Sequence, residues 1–146
     1  MPVAVVPYFI FTSKWVNEIC RAETCNSLEK YISRYILLLK PIEFCGHTLR
    51  SIRSFPVLVR HEVGYELDKV QRGLTPSDWK PMPTVGKGTR EIRIQERGQY
   101  RIIYLATHGK TIYVLHAFRK KARKTRQSDI KLARNALSQL MHRNMS

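Results

Sequence analysis

Three short motifs in the second half of the chain attach cations to apolar, strand-forming stretches: "EIRI" with Arg93, "YRIIY" with Arg101, and "LHAFRKK" with Arg119, Lys120 and Lys121. Arginine grips a phosphate through a planar fork, and lysine offers a mobile point charge. Gathered on one rigid surface, such groups repel each other, and a phosphodiester backbone relieves that repulsion. For Arg101 a solvated face is a poor explanation, because the residue begins an otherwise apolar run. His116 precedes the basic cluster, and an imidazole can take or give a proton under ordinary conditions, so it is a candidate general acid or base; a half-buried packing role is the competing reading. Glu91 alternates with Arg93 and shares its face of the strand. Lys87, Arg90 and Lys124 flank the motifs as further candidate RNA contacts. No Ser-His-Asp order, paired carboxylates or metal-ligand spacing stands out, so no metal or cofactor is expected. "VGKGT" lacks the glycine and hydroxyl positions of a phosphate-binding P-loop.

These side chains need a sheet to bring them together. "REIRIQ", 90–95, alternates polar and apolar residues, "YRIIYLAT", 100–107, is β-branched, and "TIYVLHAF", 111–118, repeats that character. "ERGQ" and "HGK" between them read as tight turns, giving an antiparallel meander. The first turn then sets Arg93 near Arg101, and the end of the third strand returns beside the start of the second. Arg101 and the basic run therefore converge at one end of the sheet. Alternation alone leaves open whether Lys120 or Lys121 faces that corner. Upstream, "KPIEFC", 40–45, reads as a short strand, and Thr48 as the cap of a short helix reaching Phe55. Pro56 suits the first turn of a longer helix, with Val59, Val63, Leu67 and Val70 on one stripe, Tyr65 and Glu66 off it, and Gly73 closing it. Residues 74–89, rich in Pro and Gly, read as one loop. Ser128 and Asp129 open a last helix buried through Ile130, Ala133, Leu137 and Leu140, with Arg143 on its solvated side. The expected fold is α+β: a small antiparallel sheet, made of a short N-terminal strand and a three-stranded meander, packed with a helical hairpin and a C-terminal helix.

The chain has 146 residues, 26 Lys plus Arg and 11 Asp plus Glu, a formal net charge of +15. Residues 1–40 carry +2 of this and residues 41–146 carry +13, so the polyanion-binding surface belongs to the second part. Residues 1–40 read as an N-terminal extension with an amphipathic helix over 27–39, and residues 41–146 as the functional domain. Cys20, Cys25 and Cys45 cannot all pair, which favours reduced thiols and a cytoplasmic setting. With His47 they match no compact zinc knuckle. Pro2 and Pro7 interrupt the apolar N-terminus, which does not read as a signal peptide, and "YILLLK" is too short to span a bilayer, so no membrane association is expected.

From about Lys40 to about Met141, the pieces "LDKVQRG", "DWKPMP", "EIRI", "YRIIY" and "VLHAFRKK" together resemble the phage-derived, HigB-like branch of the RelE/ParE toxin superfamily. The resemblance implies a RelE-like fold of two helices on a small antiparallel sheet, and the toxin of a type II toxin–antitoxin pair. It implies a ribosome-dependent endoribonuclease that cleaves mRNA by metal-free attack of the 2′-hydroxyl and so inhibits translation. By the same resemblance Arg101 and Lys120 match two basic positions of the family's catalytic sheet and Arg93 a further one; the expected roles are that Arg101 and Lys120 bind the scissile phosphate, Arg93 orients the backbone, and either Glu91 or His116 activates the hydroxyl. Glu91 stands where some relatives carry lysine, and a terminal tyrosine used by some has no match after Lys121. Implied partners are mRNA, the ribosome, a HigA-like helix-turn-helix antitoxin and, through it, operator DNA. The alternatives are a ParE-like topoisomerase poison and a degenerate toxin that only binds its antitoxin.

The charge makes one expectation independent of chemistry. Affinity of the full chain for single-stranded RNA should fall linearly on a log–log plot against salt, by a factor on the order of a thousand between about 50 and 200 mM. Fluorescence anisotropy checks it; a flat plot would remove phosphate contacts from the account.

Overall fold

The computed structural model describes residues 39–106 and 109–145. The predicted helix over 27–39, but for its last residue, and Cys20 and Cys25 lie outside them. The described chain runs β1 (Ile42–Phe44), α1 (Thr48–Arg53), α2 (Val57–Gln71), β2 (Trp79–Pro81), β3 (Thr89–Gln95), β4 (Gln99–Leu105), β5 (Ile112–Lys120) and α3 (Gln127–Met145). This is the expected α+β order, but the sheet has five strands, arranged β1-β5-β4-β3-β2, and it is mixed.

Two corrections to the expected sheet have physical causes. β1 lies parallel to β5, with Ile42 opposite Ile112 and Phe44 opposite Val114. A tight turn forces antiparallel neighbours, whereas β1 reaches the rest of the sheet through two helices, which impose no such direction. β2, hidden in the presumed loop, pairs antiparallel with β3. Its prolines suggested irregular chain, but an edge strand of three residues tolerates Pro81, whose missing N–H costs nothing on the open side. The ladder continues past both ends of β2, through Arg93 N–H to Asp78 O at 2.9 Å and Met82 N–H to Thr89 O at 2.9 Å.

β4 is buried on both faces from Tyr100 to Leu105. On one face Ile92, Ile94, Tyr100, Ile102 and Tyr104 pack with Ile52 of α1 and Val59, Val63, Leu67 and Val70 of α2. On the other, Ile103, Leu105, Tyr113 and Leu115 pack with Ile130, Ala133 and Leu140 of α3. Each such side chain contributes roughly 1.5–3 kcal/mol by leaving water, an upper estimate because the unfolded chain already buries some of it. The hairpin joining β3 and β4 turns at Arg97, which takes φ 47°, followed by Gly98. Side chains rarely adopt that left-handed region.

The β4–β5 ladder is irregular. Ile103 lies opposite His116 but Tyr104 lies opposite Val114, so Leu115 is an extra residue in β5. This β-bulge puts Leu115 and His116 on the same face, and from there His116, Phe118 and Lys120 follow Arg101 on the α3 face.

Three residues behave differently from expectation. Thr48 is the first helical residue rather than the cap, and its hydroxyl donates to Cys45 O at 2.6 Å and Leu115 O at 3.2 Å, tying α1 to β5. Arg143 is not simply solvated: it pairs with Glu43 at 2.6 Å, fastening the end of α3 to β1. Glu66 is buried in α2. It accepts bonds from the Ser77 N–H at 2.7 Å, the Ser77 hydroxyl at 2.8 Å and the Lys69 ammonium at 3.1 Å. The chain leading into β2 is thereby pinned to α2.

Burial alone would raise the Glu66 carboxyl, but the Ser77 and Lys69 bonds outweigh it and hold the group below its ordinary 4.5. A depressed carboxyl contributes stability that is present above the unfolded value and lost as pH falls below it. Glu66→Gln should therefore destabilise the protein by about 1–3 kcal/mol at neutral pH, and the gap to wild type should close on acidification below 4.5. Thermal melts across pH check this; a gap that stays constant would contradict it.

Candidate nucleic-acid interface

α3 covers only part of its face of the sheet. Beyond it, towards the β3–β4 turn, the same face carries charge instead of apolar side chains. The register sets Lys80 opposite Glu91 and Arg93 opposite Arg101. It sets Arg101 opposite Phe118, and Gln99 opposite Lys120. Strand alternation thus places Lys80, Glu91, Arg93, Arg101, Phe118 and Lys120 side by side on three adjoining ladders.

Arg101 is 4% exposed. Its Nε lies 3.3 Å from Glu91 Oε1, while its two terminal nitrogens donate to Tyr100 O at 2.9 Å and Gln99 Oε1 at 3.0 Å. Arg101 is therefore a held, internally paired group. Burial lowers its pKa, Glu91 pulls it back, and Arg93 adds to the fall; a guanidinium nonetheless keeps its proton. Glu91 is 1% exposed, and besides Arg101 it has Lys80 Nζ at 3.8 Å. Arg93 is half-buried and held by Asp78, with Nη2 at 2.6 Å and Nε at 2.8 Å from the same oxygen.

Lys120 forms no ion pair among the described residues. Burial, then repulsion by Arg101, holds its ammonium below the usual lysine range, with Glu91 opposing and Lys80 and Arg93 adding to the fall. Those influences mark the five groups as one electrostatic unit. Lys120, Phe118, Lys121, Lys124, Arg126 and Asp129 border a small depression beside it.

His116 sits on the same face, stacked on Phe118 with ring centroids 5.2 Å apart. Its Nε2 lies 3.0 Å from Asp129 Oδ1 in the first turn of α3. A carboxylate only accepts, so Nε2 donates and Nδ1 is the basic nitrogen of the neutral ring. The pair also ties β5 to the start of α3.

The remaining sequence candidates are not gathered here. Arg90 lies over the Trp79 ring at 4.5 Å and Arg119 over the Tyr100 ring at 5.9 Å, both on the opposite face of the sheet. Lys87 is exposed in the β2–β3 connection, and Lys121 and Lys124 are exposed at the rim of the depression. Cys45 is partly buried, and burial, reinforced by Glu43, pushes its thiol up to about 11, so it is not a reactive thiolate. No group of three or more metal-ligating side chains occurs among the described residues, and no helix there is long and apolar enough to cross a membrane.

Sequence reading missed Asp78, Lys80 and Asp129. The first two lie in "DWKPMP", whose prolines masked a strand. Asp129 carries the signal of a helix start, and nothing in its spacing from His116 signals a contact.

A family model described as phage derived protein Gp49-like (DUF891) matches residues 50–138, which contain every residue of this charged face. No curated protein and no solved structure matches the chain.

If the His116–Asp129 bond tethers α3, Asp129→Ala should leave the sheet intact and speed amide exchange at the start of α3 about tenfold, the equivalent of losing one charged hydrogen bond. Hydrogen exchange read by mass spectrometry checks this; unchanged protection there would show that the tether carries no load.

Proposed function

The chain belongs to the Gp49-like family of phage-derived proteins, and on that premise we propose that it is a toxin of the RelE/HigB type, an endoribonuclease that cuts mRNA on the ribosome. The observation that carries the reading is the convergence of Arg93, Arg101 and Lys120 on one part of a sheet face, where Arg93 and Lys120 are partly exposed and Arg101 is buried. Its electropositive surroundings, Lys121, Lys124 and Arg126, supply long-range attraction for RNA.

The reaction needs no group from outside. The 2′-oxygen of a nucleotide attacks its own 3′ phosphorus as the 2′-hydroxyl gives up its proton. The bond from phosphorus to the 5′-oxygen of the next nucleotide breaks, leaving a cyclic phosphate, and that oxygen takes a proton. His116 is the better proton acceptor of the two candidates. It is partly exposed, and Asp129 fixes its tautomer and steadies the imidazolium that forms. Glu91 is enclosed by Arg101 and Lys80 and has no path to a substrate hydroxyl. Lys120 contacts the phosphate and, being held below the usual lysine range by burial and Arg101, is suited to give a proton to the leaving oxygen. Arg101 is buried, with its guanidinium already held by the Tyr100 carbonyl and Gln99, and it acts on the negative charge that develops on phosphorus through its field rather than by contact, so no reorganisation accompanies the reaction. The ribosome holds the mRNA in line, which provides much of the remaining acceleration.

The toxin reading implies a HigA-like helix-turn-helix antitoxin as partner, and operator DNA through it. Lys120→Ala should lower mRNA cleavage about a hundredfold, the usual cost of removing one charge-stabilising donor. Arg101→Lys, which keeps a charge beside Glu91 but loses the fork, should fall similarly. Primer extension on mRNA after induction in cells, alongside growth, reads both; undiminished cleavage by Lys120→Ala would sink the assignment.

A further inference from the structure

Glu91 poses a chemical problem. Its carboxylate is almost completely buried, yet neither oxygen has a hydrogen bond. Buried carboxylates ordinarily accept several, because leaving one unsatisfied is costly. What surrounds this one is charge: Arg101 Nε at 3.3 Å and Lys80 Nζ at 3.8 Å. Nε of Arg101 likewise has no hydrogen bond, since the geometry to Glu91 is that of an ion pair only. A carboxylate held by charge alone contributes little to directional positioning. Its effect is on the net charge of the face.

Resting on the endoribonuclease reading, we infer that Lys80 and Glu91 complete the phosphate site, Lys80 as a fourth cation and Glu91 as the resident counter-anion that sets the site's charge. Lys80, Arg93, Arg101 and Lys120 bring four positive charges to one face, and Asp78 and Glu91 bring two negative ones. Two positive charges are left over. A phosphodiester in the ground state carries one negative charge. Attack by an ionised 2′-oxygen produces a five-coordinate phosphorus with two. The surplus therefore matches the charge that develops during reaction better than the charge of the bound substrate, which is the condition for catalysis rather than tight binding. Without Glu91 the surplus would be three. RNA would be held more firmly before and after the cut, and three unneutralised cations would strain the free protein. Lys80 is well placed for the role, because its side chain is 43% exposed and so reaches both Glu91 and a ligand above it.

Adjacent members of one ion pair should then affect binding in opposite directions, which a merely structural salt bridge would not do. Glu91→Gln should tighten binding of a short single-stranded RNA, made uncleavable with 2′-O-methyl groups, about tenfold at roughly 50 mM salt. Lys80→Gln should weaken it by about the same factor. Lys110→Gln, an exposed lysine in the turn at the other end of the sheet, should change it less than about twofold, because screening removes distant charges. Anisotropy on the full chain reads all three. Both variants shifting binding in the same direction, or neither differing from Lys110→Gln, would overturn the inference. So would loss of cleavage in Glu91→Gln with binding intact, which would make Glu91 a proton acceptor. If Glu91→Gln does not fold, Lys80→Gln carries the test alone, and unchanged binding overturns it. These outcomes are separate from the reading of the site as a nuclease, which stands or falls on cleavage by Lys120→Ala.

Discussion

Leu115 has no partner on β4: the ladder passes from His116 opposite Ile103 directly to Val114 opposite Tyr104. That unpaired residue lets β5 serve two purposes. Before the bulge, Tyr113 and Leu115 supply the core beneath α3. After it, parity is reversed, and His116, Phe118 and Lys120 share the face of Arg101. Were alternation unbroken from Tyr113, Arg119 and Lys121 would occupy that face, and Lys120 would lie on the other side. Thr48 stabilises the irregular point, since its hydroxyl donates to the carbonyl of Leu115 itself.

The α3 face is consequently divided. One part is dry and apolar, and α3 lies across it. The other carries the Arg101–Glu91 pair at its centre, with Arg93 and Asp78 on one side and Lys120 on the other. Burying a guanidinium and a carboxylate is expensive unless each compensates the other. Here Glu91 compensates the charge of Arg101, while the Tyr100 carbonyl and Gln99 fix the direction of its guanidinium. His116 and Asp129 stand at the border between the two parts, where α3 begins. The same bond therefore anchors a helix and sets the tautomer of a ring that faces the charged corner.

The meander, the helix stripes and the approach of Arg93 to Arg101 were legible because each depends on local pattern and short turns. Val59, Val63, Leu67 and Val70 are buried as their spacing requires. Tyr100 and Tyr104 belong to the core on the face opposite Arg101. β2 was not legible, because three residues among prolines carry no periodic signal. The direction of β1 was not either, because two helices intervene before the chain rejoins the sheet.

The sequence by itself determined the elements that carry a local period, the phage-derived Gp49-like family, the strongly basic character and most of the cations of the charged face. Those follow from composition, period and turn chemistry, which act over a few residues. Only the tertiary structure decided which cations meet. Arg90 and Arg119 fall on the far face with Trp79 and Tyr100, whereas Lys80 and Asp129, from distant parts of the chain, enter the site or its border. Lys120 was chosen over Lys121 in the same way. A bulge of one residue reverses every side chain that follows it, and whether a strand bulges depends on what packs against it rather than on its own alternation.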